Sequence, residues 1–96
     1  MTAFIVATVT ISDMDAFKAY GQTIAGLSEK HGGKSIVKGP ITEVLEGDIP
    51  EGQRVVVSEF PTADAARAYI NDPLYLEGKA KREGAAVVEM RLIVTD

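Results

Sequence analysis

Several features that define a chemistry or a compartment are missing from this 96-residue sequence. There is no cysteine, which excludes disulfides, thiolate metal ligands and cysteine nucleophiles. A single histidine, His31, excludes a multi-histidine metal site within one chain. No apolar run approaches the roughly 20 residues that span a bilayer, and the N-terminus lacks the basic start and cleavage site of a secretory signal. We therefore expect a cytoplasmic protein that neither enters a membrane nor holds a metal ion.

Charge and motif content exclude further classes of function. The formal net charge is −4, with acids and bases mixed along the chain, whereas a protein that binds a phosphate backbone gathers Lys and Arg into a patch. The GxGxxG, P-loop, HExxH, EF-hand and nucleophile-elbow motifs are all absent from the sequence. We expect no nucleic acid partner, and no motif predicts a cofactor.

What the sequence does contain is the composition of one ordinary globular domain. Its 46% apolar and 25% charged residues are typical of a folded protein. A chain of 96 residues accommodates one hydrophobic core. We expect residues 1–96 to form a single domain.

Hydrophobic periodicity predicts strand, helix and strand in the first half. Residues 3–11 are rich in β-branched residues and predict a strand, and Ser12 predicts the N-cap of the helix that follows. The apolar residues of that helix recur at spacings of three and four, up to the two glycines that end it: Phe17, Tyr20, Ile24, Leu27 and His31, then Gly32 and Gly33. Residues 34–37 and 41–45 predict a second strand interrupted at Gly39-Pro40, because proline cannot donate to a sheet ladder.

Hydrophobic periodicity in the second half of the chain again predicts strand, helix and strand. Its elements are a strand over residues 54–60, a helix capped by Thr62, a short helix over residues 74–82 restarted by Asp72 and Pro73, and a strand over residues 87–95. The short helix ends in a basic cluster of Lys79, Lys81 and Arg82. We interpret this cluster as a solvated helix end, with an anion site as the alternative.

The order of these elements predicts an α+β fold of the ferredoxin-like βαββαβ type. In that fold two helices cover one face of a four-stranded antiparallel sheet. The first and last strands carry apolar residues on both faces, and a large exposed apolar patch is rare in a monomer. A second copy of the chain is the most economical cover, so we expect a homodimer through the open sheet face.

Glu59 is the one candidate for a catalytic group. It shares a strand face with Val55 and Val57, so its carboxylate is predicted to point toward an apolar layer. Burial there would raise its pKa and make it a useful general acid or base. The alternative is a solvated strand end, or an ion pair with Arg82 or Arg91.

Three further side chains are candidates for ligand contacts. Arg54, on the same strand, is a possible anion partner. Tyr20 and Tyr75 each combine an apolar body with a hydroxyl that can position a small ligand. Tyr20 lies on an apolar helix stripe, where packing in the core is the alternative role.

A set of short motifs resembles a known family. The motifs are Tyr20, Gly32-Gly33, Lys38-Gly39, Leu45-Glu46-Gly47, Arg54, Val57-x-Glu59-Phe60-Pro61, Ala65-Ala66 and Pro73-x-Tyr75. In this combination nearly the whole chain resembles the small bacterial proteins catalogued as domain of unknown function 1330. The resemblance implies a dimeric α+β barrel, a group whose members include cofactor-free monooxygenases, muconolactone isomerases and stress-response barrel proteins. It implies no particular activity.

Three functions remain open at this point. The first is a homodimer that binds a small organic molecule between sheet and helices, with Glu59 as a proton carrier and Tyr20, Arg54 and Tyr75 as ligand contacts. The second is a cofactor-independent monooxygenase or isomerase. The third is a structural or regulatory dimer without a ligand.

Overall fold

The computed structural model describes residues 2–95. Within that range the chain forms one four-stranded antiparallel sheet, in the order β2-β3-β1-β4, and four helices. The elements are β1 (Thr2–Ile11), α1 (Met14–Thr23), α2 (Leu27–Lys30), β2 (Lys34–Pro40), β3 (Arg54–Phe60), α3 (Ala63–Asn71), α4 (Pro73–Lys81) and β4 (Ala86–Thr95). The predicted α+β, ferredoxin-like fold is confirmed, with each helical connection divided into two helices.

The two faces of the sheet differ in what covers them. On the central strand β1, Ala3, Ile5, Ala7 and Val9 are at most 7% exposed, because they face the helices. The alternate residues, beginning with Phe4, are only half-buried on the helix-free face, which we call the open face. One sheet and one helical layer make a slab with extents of 33 × 31 × 15 Å.

The register of β3 decides which of its side chains face the helices. Phe60 pairs with Ala3 and Arg54 pairs with Val9, so both lie on the helix side together with the even-numbered residues between them. The odd-numbered residues of β3, which include Glu59, lie on the open face.

Side-chain caps begin three of the helices, although one cap is not the predicted residue. Asp13 caps α1 by accepting a hydrogen bond from the Ala16 amide at 3.2 Å. Ser12 was predicted as this cap and that prediction is wrong, because its hydroxyl donates to the Ala85 carbonyl at 3.0 Å. Thr62 caps α3 as predicted.

Asp72 begins α4 and also links two helices. One of its carboxylate oxygens accepts the Leu74 amide at 2.9 Å, and the other lies 2.9 Å from Nε2 of His31 at the end of α2. Pro73 follows in the first helical turn, where its missing N–H has no cost. The predicted restart of the helix at Asp72-Pro73 is confirmed.

The helix predicted from Ser12 to His31 is divided. The segment α1 ends at Thr23, and Gly26 adopts a φ of 78° before α2 begins. That φ is favourable only for glycine among the common residues, so Gly26 fixes the position of the break. The apolar stripe continues across it, since Leu27 of α2 is buried in the same core as Tyr20 of α1.

The second strand extends to Pro40, so the position predicted as an interruption, Gly39-Pro40, is instead the end of the strand. Pro40 is accommodated because it is the last residue of an edge strand, where a missing N–H leaves no ladder bond broken. Residues 41–45, predicted as the continuation of the strand, belong to no strand.

An irregularity lies earlier in β2. Ser35 pairs with Ser58 whereas Val37 pairs with Val57, so this edge strand contains one extra residue. A one-residue shift moves every following side chain to the other face of the sheet. Lys38 therefore faces the helices and Val37 faces the open side.

The core lies between the sheet and the helices. Its buried members are Ala3, Ile5, Tyr20, Leu27, Phe60, Ala66, Tyr69 and Tyr75. Phe60 is fully buried at the end of β3. Gly78 allows α4 to approach α1 closely, since a Cβ at this position would lie 2.7 Å from Cγ2 of Ile24.

Candidate ligand cleft

A cavity of about 280 Å³ lies between the helix side of the sheet and the first two helices. Its floor is apolar, because Ile5, Ala7 and Val9 of β1 lie beside Val56 of β3. Its roof includes Phe17 of α1. A concave, mainly apolar space with a few polar groups is typical of small-molecule sites, and this partly open cavity has a volume near the lower end of their range.

Two cations line the cavity where β2 and β3 meet. Lys38 pairs with Val56, and Arg54 lies two residues further along β3 on the same face. Diagonal neighbours of this kind are within reach of long side chains. Among residues 2–95, neither cation has a carboxylate oxygen within ion-pair distance, so both are available to an anion in the cavity.

The tyrosine hydroxyls of the cleft are protonated. Tyr20 and Tyr69 both line the cavity, and burial raises the pKa of Tyr69 to about 12. The pKa of Tyr20 is also raised, mainly by burial and to a lesser extent by the neighbouring Tyr75. These phenols act as hydrogen-bond donors and as apolar walls at neutral pH, not as bases.

Tyr75 lies behind Tyr20 and does not line the cavity. The two rings meet edge to face with centroids 6.2 Å apart. The Tyr75 hydroxyl accepts a hydrogen bond from Nη1 of Arg82 at 3.1 Å and lies 3.5 Å from Sδ of Met90, whose side chain does line the cavity. Tyr75 therefore supports the cleft from within the core.

Arg82 is buried, which differs from its interpretation as part of a solvated helix end. It is only 7% exposed, and its guanidinium carbon lies 4.5 Å from the centre of the Tyr20 ring and 5.6 Å from that of Tyr75. The other two members of the cluster, Lys79 and Lys81, are exposed as expected. A cation over an aromatic face is stabilised by the ring quadrupole.

Glu59 lies outside this cleft. Its cross-strand neighbours on the open face are Phe4 and Lys34, and the sheet separates it from the cavity. Among residues 2–95 it has no ion-pair partner, so pairing with Arg82 or Arg91 is not found within the chain. The prediction that Glu59 shares a cleft with Tyr20 and Arg54 is therefore wrong for one chain, because residues 54 and 59 have opposite parity on β3.

Of the four predicted site residues, the structure brings Tyr20 and Arg54 to one cavity and places Tyr75 directly behind it. Two polar residues of the cleft escaped sequence reasoning. Lys38 reaches it because of the extra residue in β2, and Glu29 because α2 turns over the cavity after the helix break. Glu29 is the one carboxylate among the described residues that line the cavity.

Other classes of site have no counterpart in residues 2–95. No group of three or more His, Asp or Glu side chains in this range is arranged to hold a metal ion. No helix in the described part of the chain is long and apolar enough to cross a membrane.

The model of a family described as domain of unknown function (DUF1330) matches residues 2–95. No curated protein matches the chain.

Solved structures share the fold at low sequence identity. A protein of unknown function from Rhodopseudomonas palustris superposes with a TM-score of 0.79 at 24% identity, over 99% of this chain and 82% of that one. The cofactor-independent oxygenase SnoaB from Streptomyces nogalater superposes with a TM-score of 0.69 at 14% identity, over 99% and 93%. A dimeric ferredoxin-like protein of unknown function from Jannaschia sp. CCS1 gives 0.69 at 13% identity, over 96% and 99%. At these identities the likeness establishes the fold alone.

Proposed function

The chain belongs to the family described as domain of unknown function 1330, and from that premise we propose that it is a homodimer that binds a small organic anion in the cleft between sheet and helices. The observation that carries the proposal is the pair of cations without an ion-pair partner, Arg54 and Lys38, at the edge of a mainly apolar cavity.

The cleft suits an amphipathic ligand. Its apolar part would lie on Ala7, Val9 and Val56, under the ring of Phe17. Its anionic group would meet Arg54, whose planar guanidinium matches a carboxylate, with Lys38 as a second point charge. Burial of apolar area provides affinity, and the charge-assisted hydrogen bonds provide orientation and selectivity.

Thermal-shift screening followed by calorimetry tests this proposal. Small aromatic and aliphatic carboxylates are screened against the wild-type protein, and the best compound is titrated into R54Q/K38Q. Loss of two charge-assisted contacts is expected to weaken binding about tenfold or more. Lys18→Gln is the matched control, because Lys18 is exposed on α1 and does not line the cavity.

Two results would refute it. One is that no carboxylate stabilises the wild-type protein, which would favour a structural or regulatory dimer without a ligand. The other is that R54Q/K38Q binds the best compound as tightly as the wild-type protein does.

The homodimer is supported by the surface of the single chain. A folded monomer of 10.2 kDa is expected to expose about 5,300 Å², whereas this chain exposes 6204 Å². The excess is of the order of what one partner buries in a standard interface, about 800 Å². Two apolar cross-strand pairs, Val6 with Val57 and Phe4 with Ile93, lie next to each other on the open face and form its apolar row, and the Jannaschia protein of the same fold is described as dimeric.

Glu59 takes a different role in this proposal from that of a proton carrier in the cleft. It lies on the open face together with Lys34, Glu89 and Arg91, so that face carries two acids and two bases around its apolar row. A second copy of the chain presents the same balanced set. Glu59 is accordingly proposed as an interface residue that selects the register of the dimer.

A cofactor-independent oxygenase or isomerase is the second candidate, because Glu29 places a carboxylate beside the cavity. A carboxylate in reach of a bound substrate can accept the proton whose removal begins either reaction. Substrate turnover that is lost in Glu29→Gln, while ligand affinity is kept, would favour this candidate. Equal turnover in Glu29→Gln would exclude Glu29 as the base.

A further inference from the structure

A second region of the molecule has features of a binding site, and it is independent of the proposed cleft. Arg82 is 93% buried, yet no carboxylate of residues 2–95 lies within ion-pair distance of its guanidinium. Its two ring partners, Tyr20 and Tyr75, contribute aromatic faces and hydroxyl groups but no carboxylate. A buried cation normally has an anionic partner, because desolvation of an unpaired charge is costly.

The hydrogen bonds of the guanidinium leave one of its edges free. Nη1 donates to the Tyr75 hydroxyl at 3.1 Å, whereas Nε and Nη2 have no partner in residues 2–95. No side-chain nitrogen in that range is fully sealed from solvent without a partner, so these two N–H groups keep at least marginal contact with solvent. Nε and Nη2 together form the edge with which arginine binds a carboxylate through two parallel hydrogen bonds.

A pocket borders Arg82. Arg82 lines an open surface pocket of about 360 Å³ between the end of α4 and the start of β4, and it does not line the ligand cleft. The walls are small and apolar, formed by Ala80, Gly84, Ala86 and Val88. Val88 is the one residue that borders both cavities.

Two further charges limit what fits there. Lys79 lines the cavity and adds a second positive charge, whereas Glu83 lines it with a negative one. The last carbonyls of α4 also point toward this end of the helix, where the helix dipole disfavours added negative charge. A ligand with a single, delocalised negative charge is therefore favoured over a phosphate that carries nearly two.

We infer that this cavity is a second anion site, in which Nε and Nη2 of Arg82 bind a small monocarboxylate. Lys79 contributes a longer-range attraction from the rim. The inference does not depend on the ligand cleft, because Arg54 and Lys38 lie on other strands and line a different cavity.

Titration of the wild-type protein with acetate, followed by amide NMR, tests the site directly. Saturable shifts are expected at Gly84 and Ala86, which line the cavity. Arg82→Lys keeps a positive charge but loses the two-nitrogen edge, and is expected to weaken acetate binding at least tenfold. Lys79→Gln should weaken it by a smaller factor.

R54Q/K38Q separates this site from the cleft, since it should bind acetate at Gly84 and Ala86 as the wild-type protein does. The inference is overturned if these two amides do not shift in the wild-type protein, or if inorganic phosphate shifts them at lower concentration than acetate. It is also overturned if Arg82→Lys folds and binds acetate with wild-type affinity. The wild-type titration decides the question alone if Arg82→Lys does not fold.

Discussion

The two faces of the sheet are formed by the same strands but have different structural roles. On the helix side of β3, Arg54 borders a cavity and Phe60 is sealed in the core, whereas Glu59, next to Phe60 in sequence, lies on the open face beside Lys34. The helix side holds an enclosed core and a cleft. The open face holds half-buried apolar residues and a balanced set of charges. Whether a strand residue has an odd or an even number decides which face it lies on, and the face limits its role more than its chemical type does.

Removal of a large side chain should lower the free energy of unfolding more on the helix side of the sheet than on the open face. Phe60→Ala is expected to lower the free energy of unfolding by about 3–5 kcal/mol, because it leaves a cavity in a fully buried site. Urea denaturation measures the change. Phe4→Ala, the same truncation on the open face, should cost less and should become more costly as the protein is diluted, since it weakens association. Equal, concentration-independent losses would mean that the two faces are equivalently buried.

An aspartate introduced on the open face tests whether a second copy of the chain covers that face. Val57→Asp is expected to weaken self-association about a hundredfold or more, because its direct cross-strand neighbours, Val6 and Val37, are both apolar and dimerisation would then bury an unpaired carboxylate. Light scattering at micromolar concentration should show a monomer. Ala68→Asp adds the same charge to an exposed position of α3 and should remain dimeric. A monomeric wild-type protein would remove the open face as an interface altogether.

Two glycines of the helical layer should respond in opposite ways to replacement by alanine. Gly78→Ala should destabilise by about 1–3 kcal/mol, because the new methyl would lie 2.7 Å from Cγ2 of Ile24 and 3.2 Å from Cδ1 of Tyr20. Gly21→Ala should stabilise by up to about 1 kcal/mol, since nothing lies within 4 Å of its added Cβ and alanine is the better helix former. Thermal unfolding monitored by circular dichroism compares them. A Gly78→Ala variant that is not destabilised would show that α1 and α4 do not pack this closely.

The smallest expected effect is a pH dependence at the edge of the helical layer. The hydrogen bonds from His31 and from the Leu74 amide lower the pKa of Asp72 below its usual 3.8. A carboxyl whose pKa is lower in the folded state stabilises the protein above the unfolded value, and this stabilisation disappears as the pH falls through the folded value.

Asp72→Ala should therefore be less stable than the wild-type protein near neutral pH, and should lose less stability on acidification below about pH 4. Urea denaturation at several pH values measures this. Asp64→Ala, which removes a 95% exposed carboxylate, should keep the wild-type pH dependence. Parallel curves for the wild-type protein and Asp72→Ala would mean that the His31 contact has no energetic role.

Local signals in the sequence predicted most of the fold. The strands β1, β3 and β4 and the caps Thr62 and Asp72 depend on alternation and on side-chain hydrogen bonds within three residues, which the sequence shows directly. The apolar stripe of the first helix was also visible, but its break was not. A glycine within a helical pattern is tolerated, so Gly26 gives no signal until its φ is known.

The site was less predictable, for reasons that depend on pairing between distant segments. The parity of β3 showed that Arg54 and Glu59 lie on opposite faces, but only the register against β1 shows which face the helices cover. Lys38 reaches the cleft through an extra residue in β2 that has no composition signal. Arg82 lies at the end of α4, where a solvated side chain is expected. Its guanidinium instead packs over the ring of Tyr20, which belongs to another helix.

The 15 Å thickness of the slab has a consequence for how the chain excludes water. In a body this thin no atom is far from a broad surface, so the single helical layer shields one side of the sheet and leaves the other side without an interior of its own. Two slabs stacked through their open faces would be about 30 Å thick, twice the single extent and close to the other two, 33 and 31 Å. Stacking would turn a plate into a nearly isotropic body, and the most exposed side of each sheet would become its geometric centre.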